Sequence, residues 1–176
     1  MRPHLALYLL ALGFVLGVAT KALAQDPTFT TIDFADSAYV TAFDINPAGE
    51  IVGRYVTADN NTHGFLRSKK GEFTTIDFPG ANLTVATGIN PLGNIVGMYR
   101  LASEPQNVRH GFLRSKDGSL TTFDFPGAFF TQTKGINPRG DIVGTYCTAK
   151  PCQPGDRKST RLNSSHIQKS RMPSSA

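Results

Sequence analysis

The chain has 176 residues, room for one domain, and a formal net charge of +5 with a pI near 9.4. The basic excess sits at the two ends. Residues 25–155 carry 11 Lys/Arg against 12 Asp/Glu, a net of −1, with no basic stripe interleaved with aromatics, which argues against nucleic acid as a partner.

Residues 1–24 read as a secretory signal peptide. Arg2 and His4 give a basic start, residues 5–19 are an almost unbroken apolar run, and Ala22-Leu23-Ala24 fits a small-x-small cleavage site before Gln25. The run is shorter than the ~20 residues a spanning helix needs, and Lys21 interrupts it. The expectation is a secreted protein, extracellular or periplasmic, with no membrane span after cleavage.

Next comes Phe-Thr-Thr-Ile-Asp-Phe (29–34), which recurs at 73–78 and, as Leu-Thr-Thr-Phe-Asp-Phe, at 120–125. A second piece, Asn-Pro-x-Gly-x-Ile-Val-Gly-x-Tyr, occurs three times, from Asn46, Asn90 and Asn137. Within it Asn bonds back to nearby backbone, Pro47, Pro91 and Pro138 preset φ, and Gly49, Gly93 and Gly140 tolerate positive φ. Flanked by β-branched and aromatic residues, each copy predicts a β-hairpin. A third piece, His-Gly-Phe-Leu-Arg-Ser, begins at His63 and His110. Lys-Lys-Gly-Glu (69–72) and Lys-Asp-Gly-Ser (116–119) are tight-turn sequences.

The offsets are 44 residues from Asn46 to Asn90 and 47 from Asn90 to Asn137. Each full repeat predicts four short strands, in the second at roughly 85–89, 95–100, 110–115 and 120–125. The predicted fold class is all-β: antiparallel four-stranded repeats of 44–47 residues forming a partial β-propeller, two full blades plus a hairpin. The leading strand at 29–34 has the sequence of a blade's last strand, of the kind that closes a ring. The mature repeat domain is expected over residues 25–155.

Residues 156–166 read as the translation of a short-read library adapter, residues 170–176 as its continuation, and residues 167–169 occupy the place of a sample index. Residues 156–176 are therefore expected to be a non-native, disordered tail, adapter read-through carrying no function, with the natural reading frame continuing past residue 155.

Ile-Asp-Phe-Pro-Gly-Ala (76–81), Gly-Ile-Asn-Pro-x-Gly-x-Ile-Val-Gly-x-Tyr (88–99) and His-Gly-Phe-Leu (110–113) together resemble the bacterial extracellular repeats called the HAF family. The resemblance covers residues 29–146 and implies an extracellular repeat protein with no assigned activity, so no catalytic residue is carried over. The first copy departs from the pattern, with Asp44 where Gly88 and Gly135 stand.

His63 and His110 recur in the same context, which predicts a structural ring bonded to a neighbouring turn or strand. Asp33, Asp77 and Asp124 also recur once per repeat, and are expected to cap turns or bond backbone rather than act as an acid–base pair. Asp59-Asn60-Asn61 lacks the Gly and distal Glu of a calcium loop. Cys147 and Cys152, with four residues between them, predict a local disulfide in an oxidising compartment, and no ligand set for zinc accompanies them. The sequons at Asn60 and Asn82 matter only in a glycosylating host, which the bacterial resemblance argues against. No catalytic, metal or cofactor residue is predicted.

The functional expectation is a non-catalytic binding or surface scaffold for an unidentified extracellular glycan or protein. Its contacts are expected from the loops at 56–62, 100–109 and 147–155, with self-association through open sheet edges. The alternative is a fragment of an extracellular propeller enzyme, a glycan hydrolase or lyase, whose site lies in further blades.

Overall fold

A computed structural model describes residues 26–162; the expected signal peptide and residues 163–176 of the expected tail lie outside them. The chain divides into two compact units, Met1–Thr31 and Ile32–Ala176. Every strand belongs to the second.

The strands are β1 (Ser37–Ile45), β2 (Ile51–Thr57), β3 (Thr62–Arg67), β4 (Phe73–Ile76), β5 (Ala81–Ile89), β6 (Ile95–Leu101), β7 (His110–Arg114), β8 (Leu120–Phe123), β9 (Phe130–Ile136), β10 (Ile142–Cys147) and β11 (Lys158–Leu162). They form antiparallel meanders: β1-β2-β3-β4, β5-β6-β7-β8 and β9-β10-β11. The first two share one sheet only through a single parallel pair, Thr62 with Leu83. The matching pair, Arg109 with Phe130, links the second meander to the third. The protein is all-β and antiparallel within each repeat, and among the described residues its sheets do not close on themselves.

Each first strand carries a β-bulge, so that Phe43, Thr87 and Lys134 are skipped in the pairing with the second strand. The Gly of Ile-Val-Gly is required by close packing. A Cβ on Gly97 would run into the carbonyl of Val85 and the ring of Phe112, its cross-strand partner on β7. Gly53 stands in the same relation to Thr41 and Phe65. Phe65 and Phe112 are fully buried, each contributing on the order of 1.5–3 kcal/mol.

The meanders pack face to face. β5 lies against β1 and β2, and β9 against β5, β6 and β7. Val52 of the first repeat shares a buried cluster with Ala86, Ile89 and Ile95 of the second. Val96 of the second clusters with Ile142 of the third, with Ile136 packed alongside.

Two expectations are corrected. Residues 29–34 do not form a strand. The other copies of this motif become β4 and β8 because β3 and β7 lie beside them, and no such strand precedes residue 29 among the described residues. The tail is not disordered over its first residues: after a 3-10 turn at Pro154–Asp156, β11 pairs with β10 from Ile142 to Tyr146. A strand edge offers backbone donors and acceptors to any extended segment, so a polar sequence suffices. The third repeat therefore has three strands rather than a hairpin.

Candidate functional site

The turn residues link one repeat to the next. In each Asn-Pro-x-Gly turn the Asn Oδ1 accepts from the backbone two and four residues on: Ala48 and Glu50 for Asn46, Leu92 and Asn94 for Asn90, Arg139 and Asp141 for Asn137. The amide nitrogen then reaches across. Asn46 Nδ2 donates to the Asn90 carbonyl at 3.4 Å, and Asn90 Nδ2 to the Asn137 carbonyl at 3.3 Å. Asn137 Nδ2 turns to Asp141 Oδ2 at 2.8 Å. Gly49, Gly93 and Gly140 close the turns at φ of +82°, +81° and +86°, with the carbonyl of each Asn accepting the Gly N–H. Pro47, Pro91 and Pro138 hold the second turn position. Asp44, the departure from the Gly pattern, accepts from the Ile89 backbone N–H at 2.9 Å and adds a bond between the first two repeats.

The second conserved-by-repetition group lies at the other end of the strands. His63 Nδ1 meets Asp77 Oδ1 at 2.9 Å, and His110 Nδ1 meets Asp124 Oδ2 at 2.7 Å. Each pair joins the start of a third strand to the residue just after the fourth. In the second repeat Glu104 Oε1 takes His110 Nε2 at 2.9 Å, while His63 Nε2 lies 3.4 Å from the Thr57 hydroxyl. Burial lowers the pKa of His110, but hydrogen bonds to Asp124 and Glu104 more than offset it, so the imidazole titrates above its usual range.

Each histidine ring lies 5.1 Å from a tyrosine of the second strand, Tyr55 or Tyr99. Those tyrosines bond Thr75 and Thr122 through their hydroxyls, and burial pushes the Tyr99 phenol up. A phenylalanine from the preceding repeat's exit stacks on the far side: Phe34 on Tyr55 at 3.9 Å, Phe78 on Tyr99 at 3.6 Å, Phe125 on Tyr146 at 3.5 Å. The residues that recur in sequence thus form one Phe-Tyr-His-Asp cluster in each of the first two repeats, with Tyr on the second strand, His on the third, and Phe and Asp in the segments just outside the strands. Sequence reasoning placed the His and Asp separately; their shared spacing of 14 residues, His63 to Asp77 and His110 to Asp124, is the signal that pairs them. Asp33, the first copy of the aspartate, lies before β1 with no histidine-bearing third strand beside it among the described residues.

Chemically the cluster is occupied with itself. Both ring nitrogens of His110 face carboxylates, which leaves neither lone pair for a metal nor an open position for proton transfer to a substrate. Among the described residues no group of three or more His, Cys, Asp or Glu has the arrangement to hold a metal ion. Cys147 and Cys152 are joined as a disulfide, Cα to Cα 6.1 Å, stapling the loop after β10; closure of so short a loop is worth ~2 kcal/mol.

The connections between second and third strands emerge at this same end in every repeat. The first is a short turn, Thr57 N–H to the Asn61 carbonyl. The second is longer and holds Arg109 Nη1 on the Gln106 carbonyl at 2.6 Å, with Arg100 Nε on Asn82 Oδ1 at 3.0 Å. The pKa of Arg109 is lowered by burial, then by the neighbouring charges of Arg100 and Arg157. In the third, Lys150 lies over the Phe129 ring at 5.4 Å. Comparison with family models, curated proteins and solved structures finds no match.

Proposed function

We propose that this chain is an exported, non-catalytic repeat scaffold, packed as part of a propeller, that binds an acidic extracellular glycan through the loops joining second to third strands. The observation that carries this reading is the division of labour between repeated and unrepeated residues. The repeated polar groups bond one another (Asn46 to Asn90 to Asn137, His63 to Asp77, His110 to Asp124) and so hold the frame. The loops at 56–62, 100–109 and 147–155 differ between repeats and emerge from one end, where a rigid frame usually carries its binding residues. Arg100, Arg109 and Lys150 on or beside those loops favour an anionic ligand. The resemblance to HAF repeats supports export and supplies no reaction. The rival reading, a fragment of an extracellular glycan hydrolase or lyase, places its site in further blades, and the histidine pairs of these repeats lend it no support.

Binding of the full chain to acidic and neutral polysaccharides, measured by biolayer interferometry, tests this. Salt-sensitive binding to an acidic polysaccharide is expected, lost when residues 100–109 are replaced by the shorter 56–62 connection. Absence of binding to every acidic glycan, or binding that survives the loop exchange, would sink it.

A further inference from the structure

His110 is a recurring side chain with a partner that does not recur. Its Nδ1 meets Asp124 Oδ2 at 2.7 Å, as His63 Nδ1 meets Asp77 in the first repeat. Its Nε2 meets Glu104 Oε1 at 2.9 Å, and Glu104 belongs to the connection between β6 and β7. The same carboxylate accepts the Leu101 N–H on Oε2 at 3.2 Å, while the Glu104 N–H donates to the Leu101 carbonyl at 3.1 Å. Glu104 therefore ties the start of the loop to the imidazole. From β6 the ring meets the ring of Tyr99, 5.1 Å away. The one charged residue of β9, which packs against β7, is Lys134, four residues along from Phe130, the bridge partner of Arg109. Arg100 and Arg109 turn to Asn82 Oδ1 and to the Gln106 carbonyl. The charges bonded to the imidazole are thus two carboxylates, one on the strand frame and one on the loop.

We propose that His110 and Glu104 form a proton-gated clamp on residues 101–109, closed when the ring carries a proton on both nitrogens and open when it carries one. The ring donates to two carboxylates at once only as imidazolium. The neutral ring has one N–H and one lone pair, and a lone pair repels a carboxylate. Asp124 keeps its bond, because its Oδ1 also accepts from the Gly111 N–H at 3.3 Å and the same Nδ1–Asp pair stands in the first repeat without a glutamate. Loss of the proton therefore falls on Nε2, and Glu104 lets go. Burial lowers the His110 pKa, and the bonds to Asp124 and Glu104 more than offset it. The clamp is thus closed below the ordinary value of 6.5 and opens as pH rises through the folded one. The first repeat has no such device: His63 Nε2 faces the Thr57 hydroxyl at 3.4 Å, which donates or accepts as the ring requires. The clamp itself stands on this geometry alone. Its effect on a ligand rests on the reading of residues 100–109 as a glycan-binding loop: an open loop holds Arg100 and Arg109 less firmly, so affinity for an acidic glycan falls as pH rises.

Amide hydrogen exchange of the full chain, followed by NMR and expressed as protection relative to the unstructured rate at each pH, tests the clamp. Protection of Leu101 and Glu104 is expected to fall about three- to fivefold as His110 loses its proton. The Thr57 and Asn61 amides of the first repeat, which bond within their own turn, keep theirs over the same range. Glu104→Gln keeps the protection and removes the step, since a carboxamide accepts from Nε2–H or turns to donate to the Nε2 lone pair. It also lowers the pH at which the His110 ring signals titrate and leaves the His63 signals unchanged. Protection that is the same on both sides of the His110 titration, a step that persists in Glu104→Gln, or an equal step in the first repeat would each overturn the clamp. Polysaccharide binding is measured separately. A protection step with no acidic glycan bound at any pH leaves the clamp standing and removes the binding reading.

Discussion

β7 and β11 occupy the same place in their repeats and are made of different chemistry. β7 pairs with β6 so that Phe112 stands across from Gly97, and β11 pairs with β10 so that Thr160 stands across from Gly144. The register is the same; the side chains are not. Phe112 is fully buried, Thr160 is not, and the place of His110 is taken by the exposed Lys158. Position in the fold secures the backbone pairing, because a strand edge needs only an extended partner. The packing beneath that pairing depends on sequence. The two repeats therefore have similar hydrogen-bond ladders and unequal cores.

The largest way to sharpen this contrast is to empty the core of the second repeat. Phe112→Ala should cost about 3–5 kcal/mol, read from urea unfolding, while Thr160→Ala should cost less than about 0.5 kcal/mol. Equal effects would mean that β11 is packed as β7 is.

The asparagine ladder gives the next contrast. Asn90 is buried, supports its own turn and reaches the next repeat, so Asn90→Ala should cost about 2–3 kcal/mol. The Asn137 side chain bonds only within its own turn, and Asn137→Ala should cost about 1 kcal/mol. Thermal melts of both variants at one protein concentration check the order.

Thr160→Phe tests the comparison in the opposite direction. It rebuilds the glycine–aromatic pair over Gly144, and should raise stability by about 1 kcal/mol, less than full burial of a phenylalanine because no fourth strand flanks β11 among the described residues. A destabilised variant would show that the space over Gly144 is not that over Gly97.

The smallest effect is on pH. The pKa of His110 is raised on folding, so its contribution is complete below the unfolded value of about 6.5 and is lost as pH rises through the folded one. Asp141 is lowered by its bonds to Asn137 and then Arg161, so its contribution is present above about 3.9 and is lost as pH falls through the folded value. Stability should decline on both sides. His110→Gln should flatten the alkaline limb by less than about 1 kcal/mol and leave the acid limb unchanged, as measured by melting temperature against pH.

How far the chain could be read in advance depends on the range of the forces involved. The Asn-Pro-x-Gly hairpins are local: Asn46, Asn90 and Asn137 bond within four residues, and Gly49, Gly93 and Gly140 need only their own φ. The third and fourth strands were also legible, since repetition at a spacing of 44–47 residues marks them as units. The self-occupied cluster was not, because His110 meets Asp124 and Glu104 from separate segments, and Phe78 reaches Tyr99 from the preceding repeat. Strand formation at the two ends was misjudged for one reason. Residues 29–34 have a strand's sequence and no strand paired with them among the described residues, and Lys158–Leu162 has a polar sequence and a strand edge beside it. By itself the sequence determined the turns, which follow from contacts within one hairpin, and the period, which follows from the recurrence of those turns. Only the tertiary structure decided which motif becomes a strand, which isoleucines are covered and which histidine nitrogens are free, because each of these depends on whether another repeat stands alongside.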